Sequence, residues 1–258
     1  KLVTKADGRD ESIELPFGKY RISETKPAPD YAYAEDFFVI ITEDSRVHQS
    51  WTNNVIIDEL FTGLFEAVKL DRESGKQVKL EGARFQIRNT DTGEYFGYWE
   101  WLPFPRYVNS WTTNSEGYVR LQEKLSAGHY ELIEIEPPFG YVLDLSPIPF
   151  KISSDNMYQM AEDGKTPVIR AYKENVSTKG KIKLFKEGEV LTNYDEKEKN
   201  FIYEKIGLAN AVYDILAEKD ILDPCNDKTV LYHAGEVVDT ITTDENGQAE
   251  SKLLPLGD

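Results

Sequence analysis

Hydrophobic and polar positions alternate with a period of two through much of the chain. In residues 129–141, Tyr130, Leu132 and Glu134 fall on one face, and His129, Glu131 and Ile133 fall on the other. That period predicts a strand with one buried face. Pro137, Pro138, Phe139 and Gly140 then end it in a turn. Residues 20–31 read the same way, with Tyr20, Ile22 and Glu24 on one face. Both stretches follow a Leu-x-x-Gly turn, at Leu15–Gly18 and at Leu125–Gly128, and in both the glutamate lies six residues after the glycine. A third such turn runs from Leu254 to Gly257. Further strands are expected at residues 12–15, 37–41, 55–58, 64–71, 80–87, 118–121, 148–152, 168–173 and 208–215.

The recurrence extends to the unit boundaries, so the chain reads as an internal repeat. Lys69 follows Gly63 by six residues, and Lys186 follows Gly180 by six. Asp58 precedes Gly63 by five residues, and Asn175 precedes Gly180 by five. Thr112-Thr113 and Thr242-Thr243 each open a polar turn ending in glycine. The expected units are the back part of a repeat at 1–60, a complete repeat at 61–179 and the front part of another at 180–258. Beginning and ending in mid-repeat is what a fragment of a longer protein would show. Seven or so short strands with polar turns make the complete unit an all-β sandwich.

Composition narrows the function. A net charge of −16 argues against nucleic acid and against anionic lipid. No apolar run reaches membrane-spanning length, so no direct membrane insertion is expected of this segment. Fifteen Tyr and twelve Phe with few helix-period segments favour β structure. Cys225 is the one cysteine, which excludes an internal disulfide and reads as a plain loop residue. His48, His129 and His233 have no ligand spacing, and Asp244-Glu245-Asn246-Gly247 reads as a turn rather than a calcium loop. No metal and no cofactor are expected.

The repeated lysine strand, the tyrosine–glutamate strand with its turn, and the closing Asn or Asp resemble the B-type repeats of collagen adhesins and the SpaA-type pilin domains of Gram-positive surface proteins. The resemblance covers nearly the whole chain. It implies tandem prealbumin-like or immunoglobulin-like β-sandwich repeats. It also implies a structural role as a stalk or spacer in a cell-wall-anchored adhesin or pilus, with the anchor outside this segment and neighbouring repeats as partners. Members of these families join a lysine to an Asn or Asp through an isopeptide bond. Carried over, Lys69 is the nucleophile, Asn175 the acceptor and Glu134 the proton shuttle. Glu24, Asp58 and Lys186 are their counterparts in the incomplete repeats. Such a bond forms once, so the protein is not a turnover enzyme.

Each residue also has a plainer reading. Lys69 could reach solvent along its stem, Glu134 could pair with it, and Asn175 could cap a turn. Lys173 shares a face with Asn175, which complicates a simple in-and-out alternation there. Residues 95–111 are the most aromatic stretch, with rings on both faces. They read either as a strand–loop–strand insertion that closes one end of the sandwich or as a ligand surface. In the second reading Tyr98, Trp99, Trp101 and Trp111 would meet a glycan or a host matrix protein.

Overall fold

The computed structural model describes residues 1–42, 56–226 and 228–257. Val55, in one expected strand, and His48 lie outside them. Among the described residues there is no helix, and the fold is all-β. The chain divides into two compact units. One holds residues 1–65, 122–130 and 150–169, and the other holds 66–121, 131–149 and 170–258.

Two sheets carry the central part of the chain. One orders the strands Ile148–Ile152, Gly128–Glu136, Arg84–Asn89 and Trp111–Thr112. The other orders Gln159–Met160, Pro167–Asn175, Thr62–Asp71 and Tyr118–Arg120, with Leu125–Ser126 also paired to Thr62–Asp71. Within the second unit, Ala67 from one sheet and Phe85, Ile87 and Leu132 from the other are buried together with Val78, Leu121 and Ala171. Within the first unit, the Phe150 ring stacks on Phe65 and Tyr130 at 4.4 and 5.5 Å. Alternating large apolar side chains are what a sheet needs to exclude water from one face.

The repeat is carried by hydrogen bonds as well as by residue types. Tyr20 donates its hydroxyl proton to the Pro16 carbonyl at 2.6 Å, and Tyr130 donates to the Ser126 carbonyl at 2.9 Å. Asp30 and Gly140 both take a left-handed backbone, at φ of 69° and 84°. The carbonyl of each then accepts one N–H, from Phe61 and from Thr178 respectively. Near the other end of the repeat, Lys69 N–H donates to Gly117 O at 2.9 Å and Lys186 N–H donates to Gly247 O at 2.7 Å. The Thr113 hydroxyl donates to Leu80 O, and Thr243 donates to Leu208 O.

Several expected strands move or vanish. Residues 12–15 form no strand. They are exposed, Pro16 removes a donor, and pairing starts at Gly18. The strand Gly18–Ile22 stops where its partner Phe37–Ile41 begins, at the Ile22–Phe37 pair, so Glu24 lies beyond the strand end. Ile56, Ile57 and Asp58 form no strand, and pairing nearby is limited to a bridge between Tyr31 and Leu60. Lys186 lies just past the short strand Lys183–Phe185 rather than on it. A hairpin of Glu187–Asp195 with Asn200–Gly207 appears where the hydrophobic pattern predicts no element.

Candidate functional site

Three strands place three polar side chains in one buried spot. Lys69 is near the end of Thr62–Asp71, and Asn175 is the last residue of its sheet neighbour Pro167–Asn175. Glu134 comes from Gly128–Glu136 in the other sheet. All three are 0% exposed. Lys69 Nζ stands 3.7 Å from Glu134 Oε1 and donates to the Lys173 carbonyl at 3.0 Å. Asn175 Nδ2 donates to Glu134 Oε2 at 2.5 Å and to the Val142 carbonyl at 2.9 Å. That pair of acceptors sets which way the amide points. Asn175 Oδ1 and Glu134 Oε1 are buried with no hydrogen-bond partner.

Burial pushes both titrating groups toward their neutral forms. It is the largest influence on Lys69, whose pKa falls to about 8; Glu134 partly opposes this, and Lys173 reinforces it. Burial likewise raises the Glu134 carboxyl, against the Asn175 hydrogen bond and the lysine charges. A neutral amine beside a protonated carboxylic acid and a primary amide is a set of groups suited to acyl transfer.

The segment after Gly140 frames this spot. Val142 supplies a carbonyl to Asn175, the Asp144 backbone bonds to Glu134, and the Ser146 carbonyl accepts from Lys173 Nζ at 2.7 Å. Asp144 is held well below the usual carboxylate range by Ser146, with Lys173 and Arg72 adding to it. The Tyr141 ring lies 5.8 Å from Lys69 Nζ.

The sequence of residues 64–166 matches the model of the SpaA prealbumin-like fold domain. Those residues, under half of the chain, are similar to a SpaA-type domain. No curated protein matches the chain. Among solved structures, the Bacillus anthracis TIE protein is similar at 20% identity and a TM-score of 0.51. That alignment covers 99% of this chain and 38% of the other, so the chain spans well under half of that protein. The BcpA major pilin subunit of Bacillus cereus aligns at 17% identity over 75% of this chain and 57% of its own, with a TM-score of 0.37. A streptococcal ancillary pilin aligns at 17% over 94% of this chain and 65% of its own, with a TM-score of 0.34. The first of these likenesses bears on fold alone, and the other two are too distant to argue from.

Other expected positions are dispersed. Glu24 and Asp58 are half-buried in the first unit, where Glu24 accepts the Ala34 N–H at 2.8 Å. Lys186 is half-buried in the second unit. In the aromatic stretch 95–111, Tyr98 is half-buried, while Trp99 and Trp101 are 56% and 69% exposed. Trp111 is only 8% exposed and therefore belongs to the core, not to an outer surface. Its ring packs 5.8 Å from Phe96 and 6.3 Å from Tyr98, because the strand Trp111–Thr112 turns it inward beside Phe85.

Two features go beyond what the sequence suggests. Glu66 is buried and holds Arg120 at 2.8 Å and Arg170 at 2.6 Å, so both faces of the lysine strand are covered. Cys225 occupies a turn but is buried, 3.5 Å from the Tyr141 hydroxyl and 3.6 Å from the Ser74 hydroxyl. The Arg120 and Arg170 positions could have been found by pairing strands around Thr62–Asp71; Cys225 sits in the loop expected of it, but nothing in sequence showed that it is buried.

Proposed function

We propose that the protein is a structural stalk segment of a Gram-positive cell-surface protein, with a self-formed isopeptide bond between Lys69 and Asn175. The observation that carries this reading is the buried Lys69–Glu134–Asn175 set, of which Lys69 and Glu134 fall in the stretch similar to a SpaA-type domain. Neutral Lys69 Nζ attacks Asn175 Cγ, and protonated Glu134 donates to Oδ1 as the carbonyl becomes tetrahedral. The proton released by Nζ passes through Glu134 to Nδ2, which it already touches. The Cγ–Nδ2 bond breaks, ammonia leaves, and Glu134 regains its proton. The reaction consumes one amine and one amide and needs no co-reactant. Holding nucleophile and acceptor on neighbouring strands supplies most of the acceleration.

The bond would tie the first long strand of the domain to its last, across 106 residues (175 − 69). A tie between those two strands resists extension when the domain is pulled through its ends, which suits a stalk carrying load. Neighbouring repeats are its partners in this reading, and its place is outside the cell. Glu24 and Asp58 are the corresponding shuttle and acceptor of the preceding repeat, and Lys186 is the corresponding nucleophile of the following one. With aspartate as acceptor the leaving group is water.

Intact mass of the 258-residue chain tests the proposal. The wild type is expected to be lighter than its calculated mass by one ammonia, and Glu134→Ala and Lys69→Ala are expected to show the full mass. A full mass for the wild type would overturn self-cross-linking and leave the spacer role resting on the fold.

A further inference from the structure

The two-stranded hairpin Tyr98–Glu100 and Arg106–Val108 has two unlike aromatic faces. The inner face is anchored: Tyr98 and Phe96 pack against buried Trp111. The outer face is open. Trp99 pairs directly across from Tyr107, with ring centroids 5.6 Å apart. Trp101 lies two residues along on the same face, 6.1 Å from Trp99 with its plane inclined by 29°. All three rings are exposed.

This face is braced. A Cβ on Gly97 would fall 2.5 Å from the Tyr107 hydroxyl oxygen and 2.8 Å from the Val108 carbonyl, so Tyr107 lies flat on a backbone that only glycine leaves bare. Glu100 and Arg106 pair across the opposite face at 2.6 Å and lock the two strands in register. Trp99 and Trp101 are stacked, and Tyr107 is tilted by 56° from Trp99; water-exposed rings held in such a fixed cluster are costly to leave open and are ready to stack.

We propose that Trp99, Trp101 and Tyr107 form a platform for an uncharged glycan whose sugars present C–H faces, such as β-linked glucose or galactose units. Size favours a sugar over a protein. Three partly exposed rings offer on the order of 300 Å², whereas a stable protein partner covers about 800 Å² per side. Charge favours a neutral ligand, because a chain of net charge −16 repels polyanions and anionic lipid. This inference does not depend on the Lys69–Asn175 bond.

The test is titration of the full chain with soluble, uncharged β-linked glucose and galactose oligosaccharides, read by tryptophan fluorescence and calorimetry. Saturable binding is expected, weakened about tenfold by Trp99→Ala and by Trp101→Ala. Gly97→Ala, which keeps every ring but displaces Tyr107, should weaken it too. Equal affinity in Trp99→Ala and wild type would overturn the assignment. So would an absence of binding to either sugar series, uptake onto zwitterionic vesicles in their place, or self-association that Trp99→Ala abolishes.

Discussion

Glu134 Oε1 stands 3.7 Å from Lys69 Nζ, and neither side chain has any solvent exposure. Two opposite charges at that distance attract, but bringing both out of water costs several kcal/mol for each ion. Here desolvation is the largest influence on each residue and shifts each toward its neutral form, which enlarges the fraction of free amine and of carboxylic acid. Those are the protonation states in which one partner can attack and the other can donate.

That balance gives a pH signature in Asn175→Ala, where no bond can form and the pair titrates freely. The Lys69 pKa is lowered from 10.5 to about 8. Between those values the unfolded chain holds more protons than the native one, so stability should climb as pH rises through that window. The Glu134 pKa is raised from 4.5. Above 4.5 the native state therefore holds the extra proton, and stability should fall as pH rises through the folded value. Urea denaturation of Asn175→Ala at closely spaced pH values reads both limbs. A flat profile would mean that the pair is not buried as described.

Lys69→Met combined with Glu134→Leu separates a cross-linked domain from an ion-paired one. Methionine nearly fills the volume and carries no charge. If a bond spans the 106 residues, losing it should cost about 4–5 kcal/mol by loop entropy. If no bond exists, exchanging Lys69 for methionine together with Glu134→Leu, so that no lone charge stays buried, should be close to neutral, whereas the same double variant loses the bond if there is one. Guanidinium denaturation midpoints of the two chains decide between these outcomes.

Glu66 anchors the opposite face of the same strand. Its buried carboxylate receives Arg120 and Arg170, each of which is about a third exposed. Glu66→Gln removes the charge and leaves both guanidinium groups without a counterion. Solvent screening of the arginines limits the loss to about 1–3 kcal/mol. Urea denaturation should show that loss, while the mass deficit expected for the Lys69–Asn175 bond stays unchanged.

What the sequence disclosed and what it hid follow from the range of the interactions. The burial of Lys69 and Glu134 was legible because a polar residue stood on an apolar face in a pattern that recurred. Glu66 was not, because alternation assigns it to solvent. Only the pairing with Tyr118–Arg120 and Pro167–Asn175 brings Arg120 and Arg170 over it. Trp111 stood open between a ligand surface and an insertion closing one end of the sandwich, because the stretch carries rings on both faces, and the sheet turns it inward. The hairpin of Glu187–Asp195 and Asn200–Gly207 escaped because much of it is exposed and it shows no buried-face alternation.

Gly117 and Gly140 both adopt a positive φ, at 77° and 84°, but they should respond differently to alanine. A Cβ on Gly117 would fall 1.7 Å from the Val78 carbonyl oxygen, inside the backbone of the turn whose own carbonyl accepts the Lys69 N–H. Nothing stands within 4 Å of a Cβ on Gly140. The first repeat already tolerates a side chain at the corresponding place, where Asp30 sits at φ 69°. Gly140→Ala should therefore cost only the left-handed strain, about 1–2 kcal/mol. Gly117→Ala adds a collision with backbone that cannot yield without moving Val78 and the lysine strand, and should cost upwards of about 3 kcal/mol. Because that movement shifts Lys69, Gly117→Ala should also slow formation of the bond to Asn175, whereas Gly140→Ala should leave it intact. Thermal unfolding and intact mass of the two variants, side by side, test the ordering. Equal losses would mean that the Gly117 turn gives way more easily than its contacts imply.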